Sequence, residues 1–218
     1  MKKLLFVSLY FIFYLNLSAQ QEYYKFLLDN FDKGRIVYTN SESRDAILNY
    51  ETITEKMFFL LQDSTIWELA QPEKIALIYI GDRVFEHIDK GIFYERIKTN
   101  NEFMYVRWKS NVVSQGKEGG YGIKSNTGAI ENINQTYGKG SVYQLKTAED
   151  FKTTPRNFYY LKIKNKFKYF TSFNSLAKQF KKHEAEIKKY VKEENLNFKN
   201  LEDVIQAVTY AYKLSENN

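Results

Sequence analysis

Between Gly34 and Lys109 the chain runs through eight short segments: GRIVYT, AILNYE, KMFFLL, TIWELA, KIALIYIG, RVFEHI, GIFYERIK and EFMYVRWK. Each is rich in β-branched and aromatic residues, and Asn, Ser, Asp, Gly or Pro punctuate the gaps. That composition suits a pleated, half-buried surface. A repeat of roughly 8–12 residues predicts an antiparallel meander, closed into a sandwich or a partial barrel. No helical pattern of roughly 10–15 residues intervenes, which disfavours a parallel α/β sheet.

One hairpin can be read in register. GIFYERIK and EFMYVRWK flank a turn at Thr99 to Glu102. With Lys98 opposite Phe103, Ile97 faces Met104 and Phe93 faces Trp108. These pairs make an apolar face whose one polar intrusion is Glu95, opposite Val106. The other face carries Tyr94, Arg96, Lys98, Phe103, Tyr105 and Arg107, because strand side chains alternate. A slip of one residue would mix the two sets. A second hairpin, NFYYLKIKNKFKYFTSF, turns at Asn165, since Asn tolerates the left-handed backbone of tight turns. Tyr159, Leu161 and Ile163 share one face of its first arm.

The period then changes. Leu176, Phe180, His183, Ile187 and Val191 recur at helical spacing, so Ser175 to Glu194 reads as an amphipathic helix with a break near Lys182. Asn195 is its stop. Asn200 caps a further helix, with Asp203 in its first turn and Leu201, Val204, Ile205, Val208 and Tyr212 as its apolar stripe. Two such helices should pair and cover one face or opening of the sheet. The expected class is therefore α+β. A β domain over 21–172 carries a glycine-rich loop at 114–140, and a helical hairpin over 173–218 packs on the sheet.

The first residues, MKKLLFVSLYFIFYLNLSAQ, give a basic start, an apolar run from Leu4 to Leu17 and the small residues Ser18 and Ala19. This three-part pattern predicts a signal peptide over 1–20. The apolar run is interrupted by Asn16 and is too short for an anchor of about 20 residues. The mature chain is thus expected without a transmembrane span, in the periplasm, at the outer membrane or secreted. Cysteine is absent, which excludes disulfides, thiolate metal sites and lipidation on an N-terminal Cys. The net charge of +6 is concentrated between Lys146 and Lys192. It suits an anionic surface such as lipopolysaccharide or a charged glycan.

The stretch SQGKEGGYGIKSNTGAIENINQTYGKG holds seven of the ten glycines. It is not a phosphate-binding loop, because Ile123 separates Gly122 from Lys124 and the glycine spacing is wrong. The dinucleotide fingerprint fails as well, with Ser125 where its third small residue belongs. It reads as a long loop with Tyr121 and Ile123 as anchors, of the kind that carries contacts. No G-x-S-x-G elbow occurs. The only two histidines, His87 and His183, lie far apart without metal-ligand spacing, so no metal and no cofactor is expected.

ILNYETITEKMFFL, IALIYIGDRVF, YGIKSNTGA and the closing SLAKQFKKHEAEIKKYVKEENLNFKNLEDVIQAVTYAY together resemble a class of exported Gram-negative envelope proteins of unknown function. The resemblance implies export and an envelope setting, and assigns no catalytic residue. Three readings follow. The first is a non-catalytic binding module, with Tyr94, Arg96, Lys98, Phe103, Tyr105, Arg107 and Tyr121 as contacts to an envelope protein or anionic glycan. The second is an envelope-glycan hydrolase using carboxylates such as Glu95, whose burial would make it an acid. The third is a carrier of an apolar ligand with the helices as a lid. Nucleic acid is a poor partner, since no recognised motif accompanies the basic residues.

Overall fold

The computed structural model describes residues 25–114, 151–163 and 165–216. The expected signal peptide, Tyr121 and the rest of the glycine-rich loop beyond Ser114 lie outside the described residues. Twelve strands are described: β1 (Asp32–Tyr38), β2 (Ser43–Glu51), β3 (Lys56–Leu60), β4 (Ile66–Glu68), β5 (Ile75–Ile80), β6 (Arg83–Asp89), β7 (Ile92–Thr99), β8 (Glu102–Arg107), β9 (Ser110–Ser114), β10 (Phe151–Pro155), β11 (Phe158–Ile163) and β12 (Lys166–Phe170). Three helices follow: α1 (Phe173–Ala177), α2 (Glu184–Glu193) and α3 (Leu201–Glu216). The class is α+β, an antiparallel sheet followed by C-terminal helices.

Ten strands form one sheet in the order β12-β11-β8-β7-β6-β5-β1-β2-β3-β4, and β9 pairs separately with β10. The order is two meanders joined at β1, which pairs antiparallel with β2 on one side and β5 on the other. Gly34 sits at this join. A Cβ there would lie 2.3 Å from the Tyr79 carbonyl oxygen and 2.8 Å from Leu48 Cδ1, so only glycine lets the strands approach.

The hairpin register is the one read from the pattern: Lys98 pairs with Phe103, Ile97 with Met104, Arg96 with Tyr105 and Glu95 with Val106. Asn100 between its strands has φ 54°, and Asn165 between β11 and β12 has φ 60°. Both supply the left-handed backbone that a two-residue turn needs.

A ten-stranded sheet seldom stays flat, and this one curls. Six strand spacings separate β3 from β8, about 29 Å if flat. Yet Glu55, in the turn before β3, accepts from Arg107 at the end of β8 at 2.5 and 2.7 Å. Beside it the Thr52 hydroxyl donates to Ser110 Oγ at 2.9 Å. One half of the sheet is thus a partial barrel around Ile36, Leu48, Tyr50, Met57, Ile78, Phe85 and Phe93. Tyr50 stacks on Phe85 across it, with ring centroids 5.7 Å apart.

The other half is covered by helices. Met104, Val106, Tyr159, Leu161 and Phe170 from the sheet pack against Leu176, Ile187, Val204, Val208 and Ala211. The stretch expected as one broken helix is α1, a tight turn at Lys181–His183 and then α2. Ser172 caps α1 through a reciprocal box with Ser175. Asn195, with φ 51°, ends the α2 segment. The Asn200 side chain accepts from the Glu202 amide at 2.9 Å and caps α3. His183 therefore lies at the entry to α2, its Nδ1 3.3 Å from Glu186, and not within a helical stripe. Among the described residues no helix is long and apolar enough to cross a membrane.

Candidate functional site

The helices cover one face of β7, β8, β11 and β12. The sheet presents its other face away from them. There the six residues predicted from the hairpin pattern come together, joined by Phe158, Tyr160, Lys162 and Phe167 from β11 and β12. The latter four were invisible as partners in the sequence, because strand order brings β11 beside β8 across an interval of more than forty residues.

Glu86, on β6, is the hub. It lies 3.5 Å from Arg96 Nη1, accepts from the Tyr105 hydroxyl at 3.2 Å and lies 3.7 Å from Lys162 Nζ. Two cations thus share one carboxylate, at distances longer than a tight ion pair. The Arg96 guanidinium lies over the Phe103 ring at 4.5 Å, and its Nε is buried without a partner among the described residues. Lys162 Nζ lies 5.9 Å from the Tyr105 ring and 5.6 Å from that of Phe167. Such placements are cation–π contacts.

The rings form a layer. Tyr94 stacks on Tyr160 at 5.1 Å, and Phe167 stands edge-on to Tyr105 at 4.9 Å. Tyr105 is consequently buried. Burial, and then the Glu86 carboxylate beside it, push its phenol well above the usual range. Burial also raises Tyr94, assisted by its hydrogen bond to Tyr160. Both rings are neutral stacking surfaces at neutral pH.

Arg107 is placed otherwise than a free surface cation. Its fork is held by the buried Glu55 carboxylate, which also accepts from Lys109 at 2.9 Å. The Glu55 hydrogen bonds raise the already high guanidinium pKa further. This is the clasp that closes the barrel. Lys98 is exposed at the end of the face, and Phe103 is half-buried. Tyr169, on β12, is 45% exposed and stacks obliquely on Tyr160 at 5.3 Å. It extends the aromatic layer to the sheet edge beyond the predicted set.

Glu95 is buried as the hairpin register implies, 6% exposed, and accepts from Arg83 Nε and Nη2 at 2.7 and 2.6 Å and from Trp108 Nε1 at 2.6 Å. Three donors occupy it, which is the arrangement of a structural ion pair rather than of an acid waiting for substrate. His87 packs against Phe93 at 5.5 Å with its Nε2 buried and unpartnered among the described residues. Among the described residues no three His, Asp or Glu side chains converge as a metal site would require.

Comparison of the chain with models of known protein families, with curated proteins and with solved structures finds no match.

Proposed function

We propose that the protein is an exported, non-catalytic binding module whose ligand is an anionic glycan of the cell envelope. The observation that carries this reading is the aromatic–cationic sheet face itself. It lies opposite the helices, and its rings Tyr94, Tyr160 and Tyr169 stack side by side at 5.1 and 5.3 Å. Flat rings suit the faces of sugars. Arg96, Lys98, Lys162 and Arg156, whose guanidinium lies 5.7 Å from the Phe158 ring, outnumber Glu86 around them, which suits carboxylate or phosphate substituents. The basic start and apolar run of residues 1–20 support export, and the resemblance to exported envelope proteins supports the setting.

The test is calorimetric titration of the purified protein with an acidic polysaccharide, polygalacturonate, and with neutral dextran. Polygalacturonate should bind and dextran should not. Tyr169→Ala should weaken binding about fivefold to tenfold, the loss expected for one stacked ring, with only a small fall in melting temperature because that ring is 45% exposed. Equal binding of both polymers, or an unchanged affinity in Tyr169→Ala, would count against the reading. Loss of all glycan binding together with recovery of one discrete crosslinked envelope protein would replace the glycan by a protein partner.

A further inference from the structure

The β6–β7 ladder stops early. It runs from Asp89 with Ile92 to Phe85 with Glu95. Beyond that, β6 continues to Arg83 paired only with β5, and β7 continues to Thr99 paired only with β8. The two strands part, and the wedge between them holds a cavity of about 770 Å³. Leu201 and Ile205 of α3 and Leu27 of the N-terminal segment line it, together with Trp108. Leu27 is held there by the chain before β1: its amide donates to the Tyr50 carbonyl at 2.8 Å, and Asn49 grips the Leu28 amide and carbonyl at 3.1 and 2.8 Å.

Apolar residues make up most of the lining, and five charged residues stand among them: Arg83, Arg96 and Lys98 with Glu95 and Asp82. Arg96 is already engaged by Glu86. Glu95 is consumed by Arg83, whose Nε and Nη2 it takes. The remaining nitrogen, Nη1, has no protein acceptor among the described residues. Arg83 also lies over the Trp108 ring at 5.1 Å, which fixes the guanidinium plane at the wall. A volume of this size, apolar walls and a few convergent polar groups are the attributes of a small-molecule site.

We infer that this wedge binds an amphiphile with one acyl chain and a carboxylate head. The chain lies between Trp108 and the α3 side chains, and the head takes Arg83 Nη1 with Lys98 nearby. The site lies under α3, away from the Tyr160–Tyr169 layer, but Arg96 and Lys98 border both the wedge and the sheet face, so Tyr169→Ala, which touches only the glycan layer, separates the two readings.

The experiment uses the full protein carrying Trp67→Phe. Trp67 is 59% exposed on the edge strand β4, and its replacement leaves Trp108 as the only tryptophan of the two. Trp108 emission is followed on titration with laurate, dodecanol and dodecyltrimethylammonium, each below its micelle concentration. Laurate should give a saturable change and bind about tenfold or more tightly than dodecanol, the difference expected for a charge-assisted hydrogen bond. The cationic amphiphile should bind weakest. Ile205→Glu, which sets a negative charge on the apolar wall beside the acyl chain, should abolish the laurate response, while Tyr169→Ala should leave it unaltered. No saturable change, equal affinity for the three heads, or an unchanged laurate affinity in folded Ile205→Glu would overturn the proposal. The head-group comparison needs no change in the wedge and decides the matter if Ile205→Glu does not fold.

Discussion

Neutralising Glu55 should open the barrel. Its carboxylate is 5% exposed and receives Arg107 through two nitrogens and Lys109 through a third. Glu55→Gln keeps the size and the left-handed backbone at this turn, where φ is 62°, so the conformational cost cancels. What changes is that a neutral amide faces two cations. Breaking a buried pair costs about 3–5 kcal/mol. The Arg107 and Lys109 side chains are 24% and 20% exposed, so water screens part of the loss, and about 3 kcal/mol is expected. With a urea m-value of about 2–3 kcal/mol/M, the midpoint should fall by about 1–1.5 M. Glu68→Gln is the control. Glu68 pairs with Lys56 on the same curled end, but their side chains are 49% and 37% exposed, so its removal should cost less than about 1 kcal/mol. The assay is equilibrium urea unfolding followed by circular dichroism. A double-mutant cycle with Arg107→Met should return a coupling of about 2 kcal/mol or more. Equal losses for Glu55→Gln and Glu68→Gln, or a coupling near zero, would refute the clasp and return Arg107 to the set of free surface cations.

Two further outcomes follow from the packing. Gly34→Ala places a methyl group 2.3 Å from a backbone oxygen that cannot rotate away, so a loss of about 3 kcal/mol is expected by thermal unfolding. At alkaline pH the buried Tyr50 phenol is held well above its usual value, first by burial and then by the Glu55 charge. The unfolded chain releases that proton near pH 10 while the folded chain keeps it, so stability is flat below pH ~10 and falls above it by about 1.4 kcal/mol per pH unit from this group. Tyrosinate absorbance should therefore show a fraction of tyrosines ionising only with unfolding, whereas a single reversible transition near pH 10 for all of them would contradict the burial.

The parts legible in the sequence are those set by local alternation. Phe93, Ile97 and Met104 on one parity and Arg96, Phe103 and Tyr105 on the other left one workable register for β7 and β8, and Asn100 and Asn165 marked turns that few other residues can make. Asn200 identified the start of α3 for the same local reason. Strand order was beyond this reach, since nothing near β1 states that β5 will return to its far side. The same holds for Arg107, which shows an alternating, solvent-facing pattern on its strand but meets a glutamate fifty-two residues away. Tyr105 likewise read as an exposed ring, and Phe167 from the neighbouring hairpin covers it. Long-range pairings carry no local signature, so the face could be predicted and its closure could not.

The wedge explains why a buried ion pair sits where it does. A sheet of ten strands has more apolar surface than three short helices can cover, and the chain meets this in two ways. Strands β1 to β8 curl into the partial barrel, with Tyr50 reaching Phe85 and Glu55 reaching Arg107. On β7, β8, β11 and β12 the sheet also accepts α1, α2 and α3. Along β7 the inward side chains pass from Phe93, in the barrel core, through Glu95 to Ile97, under the helices. Trp108, just after β8, touches both cores. β6 and β7 separate where the barrel core gives way to the helix-covered core. At this junction Arg83 bridges the gap to Glu95, with Leu27, Leu201 and Ile205 lining the cavity beside them. An ion pair with three good donors fixes the separation, where hydrophobic residues would draw the strands together and erase the cavity. Replacing both Arg83 and Glu95 by apolar residues of similar volume should accordingly cost only about 1–3 kcal/mol, for the Trp108 N–H left without its acceptor, while abolishing the laurate response of Trp108.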